Sequence, residues 1–135
     1  MKNVAIKEHH LYDKTFRRGK RSVGRYVAVY ILRDFKAEKL KNAHPQKIYV
    51  NRLGLSVSKK IGGAVVRNRV KRILRAGLAE ARGIAPLKTG YLIVIAARVG
   101  AHEANSHEIA QELISSFKKL DMYKQPKQSN QENDK

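Results

Sequence analysis

The chain has 135 residues, with 29 Lys and Arg against 11 Asp and Glu, a formal net charge of +18. That length suits one domain and is enough for a core without disulfides or structural metal. The absence of cysteine excludes disulfide frameworks, zinc ribbons, iron–sulfur clusters and thiol catalysis. A compact state works against its own repulsion at this charge, so a large acidic partner is expected, nucleic acid first and an anionic membrane surface second. No run of 18 apolar residues is present to span a bilayer. Residues 1–10 lack the apolar stretch of a secretory signal, and a cytoplasmic location is the expectation.

In chain order, residues 7–19 read as a short helix with Tyr12 and Phe16 on one face and Gly19 as its stop. Residues 14–25 hold six basic side chains and no acid. Residues 26–32 are β-branched and aromatic, hence a strand. Period two puts Val27, Val29 and Ile31 toward a core and Tyr26, Ala28 and Tyr30 on the other face. Residues 34–46 are charged and read as a long hairpin connection. Residues 48–50 and 53–58 read as strand, broken or bent near Gly54, where a glycine signals a bulge or a close approach.

Lys59 to Gly63 form a basic turn. Residues 64–82 carry an apolar stripe (Val66, Val70, Ile73, Leu74, Leu78, Ala81) and arginines opposite it, the pattern of an amphipathic helix. Gly77 inside it costs about 1 kcal/mol against Ala, so close packing on a sheet is expected there. Residues 83–90 are a loop. Tyr91–Ala97 is continuously apolar, as in a strand buried on both faces. Asn105 and Glu108 have capping-box spacing ahead of a last helix with Ile109, Leu113, Phe117 and Leu120 as its apolar face. The expected organisation is one α/β domain over 1–123, a mixed sheet of about four strands with three helices in the order α-β-β-β-α-β-α, and a disordered tail over 124–135.

No protein active site emerges from the pattern. Ser56 and Ser58 lack a Gly-x-Ser-x-Gly elbow. His9 and His10 are adjacent, about 100° apart on a helix, a poor chelating pair. His44, His102 and His107 read as surface residues, and the acids show no metal-ligand spacing. Gly62-Gly63 lacks the Walker pattern; it either turns the chain into the helix or leaves room for one phosphate at the helix start.

The informative stretch is 58–75. It holds Lys59, Lys60, Arg67, Arg69, Lys71, Arg72 and Arg75 and no acid. A solvated helix mixes its signs, whereas this one repels itself until a polyanion arrives. Guanidinium groups grip two phosphate oxygens or stack on a base, and Asn68 can donate to and accept from base edges or sugars. Tyr12, Phe16 and Tyr30 either stack on single-stranded bases or simply pack the first helix on the sheet. A structural RNA-binding protein of ribosomal type shares the charge. A membrane-surface protein lacks a free apolar face here, because the core uses the stripe.

These residues carry a resemblance. Ser56-Val57-Ser58-Lys59-Lys60, the Gly pair, Ala64-Val65 and Arg67-Asn68-Arg69-Val70-Lys71-Arg72 with Arg75 resemble the signature of the bacterial ribonuclease P protein component. Tyr12 to Gly19 is similar to that family's N-terminal aromatic-x-x-x-Phe-x-x-Gly segment, with Tyr12 where Phe is common. The similarity spans about residues 11–120. It implies a left-handed βαβ crossover around the Arg-Asn-Arg helix, against the general right-handed preference. It also implies that a partner RNA is the catalyst, with Mg²⁺ bound mainly by that RNA and none held by the protein alone. The RNA removes the 5′ leader of precursor tRNA by phosphodiester hydrolysis. The implied partners are one catalytic RNA per protein and precursor tRNA, with no membrane and no protein partner required. Carried over by position, Arg67, Asn68, Arg69, Lys71, Arg72 and Arg75 would face the catalytic RNA. Tyr12, Phe16, Tyr30, Lys59 and Lys60 would line the leader-binding cleft, and no catalytic residue is expected in the protein.

Overall fold

The computed structural model describes residues 2–34 and 49–124. Its elements are β1 (Lys2–Ala5), α1 (His9–Arg18), β2 (Lys20–Val23), β3 (Val27–Arg33), β4 (Tyr49–Ser56), α2 (Ala64–Ile84), β5 (Tyr91–Ala97) and α3 (Ser106–Lys119). A 3-10 turn, Val99–Glu103, precedes α3. From α1 onward the order is the expected α-β-β-β-α-β-α in an α/β fold. The mixed sheet has the order β1-β4-β5-β3-β2, with β4 parallel to β5 and β1, and β3 antiparallel to β5 and β2.

The apolar run of β5 takes the central position because both of its faces are then covered. Ile93 and Ile95 join Val27, Val29 and Ile31 under α2 and α3, in a core that also holds Val70, Leu74, Leu78, Ile109, Leu113 and Phe117. Leu92 and Val94 face the other way, into a smaller core with Ile6 and Leu11 beneath α1. The period-two reading of β3 is thereby realised, with the branched residues inside and Tyr30 half-buried on the α1 side.

Four local expectations are corrected. Residues 34–46 do not begin a hairpin, because β3 and β4 flank β5 rather than each other; residues 35–48 lie outside the described residues. Asp34 belongs to the fold: its carboxylate accepts from Arg52 Nε at 2.6 Å and Nη2 at 2.8 Å, with both residues buried. The residues expected as two strand pieces form one unbroken strand, β4, paired to β5 through Gly54. Gly77 packs on α3 rather than on the sheet, since a Cβ there would lie 2.7 Å from Ile109 Cγ2.

β1 and β2 are additional to the expected strands and bring the sheet to five. β1 is only four residues long. β2 carries Lys20 and Arg21 and has no apolar alternation; its pairing with β3 imposes its conformation. The capping box at the start of α3 is present, Asn105 Oδ1 accepting from Glu108 N and Glu108 Oε1 from Asn105 N. The expected tail lies, from residue 125 on, outside the described residues.

Candidate functional site

The sheet face that carries α1 can be read in rows from the strand registers. One row runs Gly54, Val94, Tyr30, Arg21 across β4, β5, β3 and β2. The next row toward the carboxyl ends of β4 and β5 runs Ser56, Ala96, Ala28, Val23. Helix α1 covers the first row with Tyr12 and Phe16. In the second row the side chains on β4, β5 and β3 are small, and they lie on the same sheet face as the aromatic rings.

Tyr12 lies directly over Gly54. A Cβ on Gly54 would come within 2.5 Å of Tyr12 Oη, so only glycine lets the ring rest on β4. Burial raises the Tyr12 phenol above its ordinary pKa, and a hydrogen bond with the Leu55 backbone pulls more weakly the other way. Phe16 meets Tyr30 edge to face, centroids 4.9 Å apart and planes at 88°. All three rings pack against the small core and stay only half-buried. They hold α1 on the sheet and still present surface to a ligand.

Helix α2 lies on the other face of the sheet, with α3. Gly62, at φ +156°, starts the turn into it, and a Cβ there would press on Val66 at 3.1 Å. The first turn has no side-chain cap and no acid. Residues four apart share a helix face, so Arg67, Lys71 and Arg75 form one ridge and Asn68 and Arg72 the next. Lys71 and Arg75, with Arg82, line a cavity of about 510 Å³ whose far side is Tyr12, Gly54 and Leu55. The structure thus brings Tyr12 together with two residues expected on a separate RNA-facing surface.

Arg67 is half-buried, and its Nε is shielded from solvent without a hydrogen-bond partner. A buried donor left unpaired costs about 1–3 kcal/mol, so an acceptor at that point would be stabilising. Arg69 is placed differently: its Nη2 donates to the His102 carbonyl at 3.0 Å and ties α2 to the 3-10 turn. Asn68, Arg72 and Arg75 are exposed. Among the described residues, the ion pairs involve Arg52, Lys88 and His107, and none of the α2 arginines or Lys71.

Lys59 and Lys60 are exposed in the turn after β4. Lys60 does not join Tyr12; it lines a second hollow of about 410 Å³ with Arg25 and Arg98, beyond the carboxyl ends of β4 and β5. Arg25 belongs to the basic run over 14–25, but neither it nor Arg98 is expected at a site from the sequence pattern. The signals for them were that acid-free run and the position of Arg98 directly after β5, since ligands favour the carboxyl ends of parallel strands. Arg98 is set by its own bonds, its side chain donating to the Gly24 carbonyl and its amide to Tyr26 O.

Among the described residues no group of three or more His, Cys, Asp or Glu could hold a metal ion, and no helix is long and apolar enough to cross a membrane. By class, this is an α/β fold that sets exposed arginines and lysines, without ion pairs among the described residues, near half-buried aromatic rings, an arrangement suited to a polyanionic ligand. The Ribonuclease P family profile matches residues 1–121, and the chain belongs to that family. It is 37% identical over 123 residues to the ribonuclease P protein component of Bacillus velezensis, covering 91% of this chain and 94% of the relative. It is 37% identical over 117 residues to that of Listeria innocua, 87% of each chain. The fold is similar to the RNase P protein of Staphylococcus aureus, with a TM-score of 0.68 at 25% identity over 91% of this chain and all of that one. It is also similar to the Thermotoga maritima RNase P protein, with a TM-score of 0.62 at 22% identity over 82% and 92%.

Proposed function

We propose that this chain, as a ribonuclease P protein subunit, binds a catalytic RNA through α2 and holds the single-stranded 5′ leader of precursor tRNA in a groove beside α1, along its half-buried rings. The observation that carries the proposal is the meeting of Tyr12 with Lys71 and Arg75 across one cavity. Rings suit unstacked bases and cations follow the backbone between them. Arg67, Asn68, Arg72 and Arg75 take phosphates and riboses of the catalytic RNA, one protein per RNA, and the unpaired Arg67 Nε finds its acceptor there. Arg69 acts chiefly by fixing the start of α2. Tyr12, Phe16 and Tyr30 contact leader bases, and Lys59 and Lys60 the leader backbone near Arg25 and Arg98.

The protein's part is to orient the leader relative to the RNA and to screen phosphate repulsion between the two RNAs. Mg²⁺ held by the catalytic RNA supplies the activation for phosphodiester hydrolysis. Protein cations that screen the same phosphates lower the metal concentration required. The work is done in the cytoplasm, where tRNA matures, as the nucleolytic holoenzyme.

The test is single-turnover cleavage of 5′-labelled precursor tRNA at low Mg²⁺, by a cognate catalytic RNA with and without this protein. Strong stimulation with cleavage at the mature 5′ end is expected, and none from the protein alone. Folded, RNA-binding protein that gives no stimulation would move the assignment to a structural RNA-binding role.

A further inference from the structure

We propose that the leader groove continues past its aromatic wall onto the edge strand β2, where Arg21 holds a phosphodiester of the same single strand. The inference rests on the leader reading above and extends it by one subsite.

The placement follows from register. Arg21 is the direct cross-strand partner of Tyr30, and directly opposed residues on an antiparallel pair share a face, with Cβ atoms about 5 Å apart. Tyr30 is the ring that meets Phe16 at 4.9 Å. Arg21 therefore stands on the groove face, one strand beyond the aromatic pair and at the margin of the sheet. Its neighbour Lys20 pairs with Ile31, a residue of the large core, and so belongs to the opposite face.

Arg21 is exposed and, among the described residues, takes part in no ion pair. The acid bonded to the hairpin is committed elsewhere. Glu112 accepts from Tyr26 N with both carboxylate oxygens at 3.0 Å and from Val27 N at 3.1 Å. Asp13 on α1 accepts from Arg17 Nε at 3.4 Å through its backbone carbonyl, and among the described residues its carboxylate takes part in no ion pair. A strand stacked on Phe16 and Tyr30 must pass its backbone somewhere, and the outward side offers an unpaired guanidinium. A guanidinium grips a phosphate in a fork geometry that an edge lysine does not reproduce. Charged side chains on edge strands also discourage sheet-to-sheet pairing. That role would treat Lys20 and Arg21 alike, and the test separates the two.

The experiment measures the affinity of the reconstituted holoenzyme for precursor tRNAs whose leaders are shortened one nucleotide at a time. It compares the natural chain with Arg21→Ala, Lys20→Ala and Arg21→Lys. The natural chain should gain affinity with each added nucleotide up to a plateau. Arg21→Ala should reach its plateau at least one nucleotide earlier and about threefold or more lower, with a salt slope reduced by about 0.7, one single-strand phosphate. Lys20→Ala should follow the natural chain, and Arg21→Lys should restore the slope but not the full plateau. Equal losses in Arg21→Ala and Lys20→Ala, or a loss that persists with mature tRNA, would overturn the proposal. So would Arg21→Ala matching the natural chain at every leader length. If the natural chain itself gains nothing from any leader, the leader reading fails, a result separate from failure of Arg21 alone.

Discussion

Arg72 and Phe16 stand on opposite sides of the proposed division of labour. Arg72 is exposed on α2 and, among the described residues, in no ion pair, so Arg72→Ala should leave stability within about 0.5 kcal/mol. Its affinity for the catalytic RNA should fall, and the slope of log affinity against log salt should drop by about 0.7–0.9. Filter binding across a salt series reads both. Phe16→Ala should leave catalytic-RNA binding intact and reduce the preference for precursor over mature tRNA, by about 1–3 kcal/mol for one lost stack. Unfolding of that variant, seen by circular dichroism, would show that Phe16 serves the small core first. Tyr12 and Tyr123 supply a pH signature. Burial raises both phenols above 10.0 in the folded chain, so the folded state keeps protons that the unfolded state releases first. Stability should therefore be full below pH 10 and decline as pH rises through the raised pKa values. Tyr12→Phe should flatten part of that decline in urea titrations run from about pH 10 upward.

At the scale of elements, the groove depends on contacts remote from any RNA. Arg52 on β4 links Asp34, at the end of β3, to Glu8, just ahead of α1, its Nη1 lying 3.6 Å from the Glu8 carboxylate. It thereby spans three segments that frame the groove and the aromatic helix. Arg52→Ala should be destabilising, by up to about 3–5 kcal/mol, because it removes a bidentate, charge-assisted pair from a buried carboxylate. Chemical denaturation would measure the loss, and weakened leader binding should accompany it. Two glycines set other parts of the same frame. Gly54 lets Tyr12 onto β4, and Gly19 lets α1 turn at once into β2, where a Cβ would lie 2.6 Å from the carbonyl oxygens of Thr15 and Ile31.

For the molecule as a whole, the +18 charge sets the energetics. Among the described residues few cations are paired, so compaction brings like charges together. Raising salt from about 0.01 M to about 0.15 M shortens the Debye length from about 30 Å to about 8 Å and should raise Tm in a thermal melt. Inorganic phosphate at matched ionic strength should raise it further, since an anion that binds only the folded state adds stability by mass action. A Tm that falls with salt would show that attractive surface pairs outweigh repulsion.

Much of this architecture was written in local pattern. The stripe of α2, the apolar run of β5, the alternation in β3 and the Asn105–Glu108 box each depend on residues close in sequence, where periodicity and capping chemistry act directly. The polyanion partner followed from composition, and the Arg67-Asn68-Arg69 segment carried the family. Tertiary structure decided what depends on distant chain segments. It made a strand of Lys20–Val23 by pairing it to β3, and it separated β3 from β4 by inserting β5. It turned Arg69 back onto the 3-10 turn and set Lys71 and Arg75 facing Tyr12. These outcomes have one physical cause. Pairing and packing are chosen by which distant surfaces can be buried together, and the spacing of neighbours along one chain does not encode that choice.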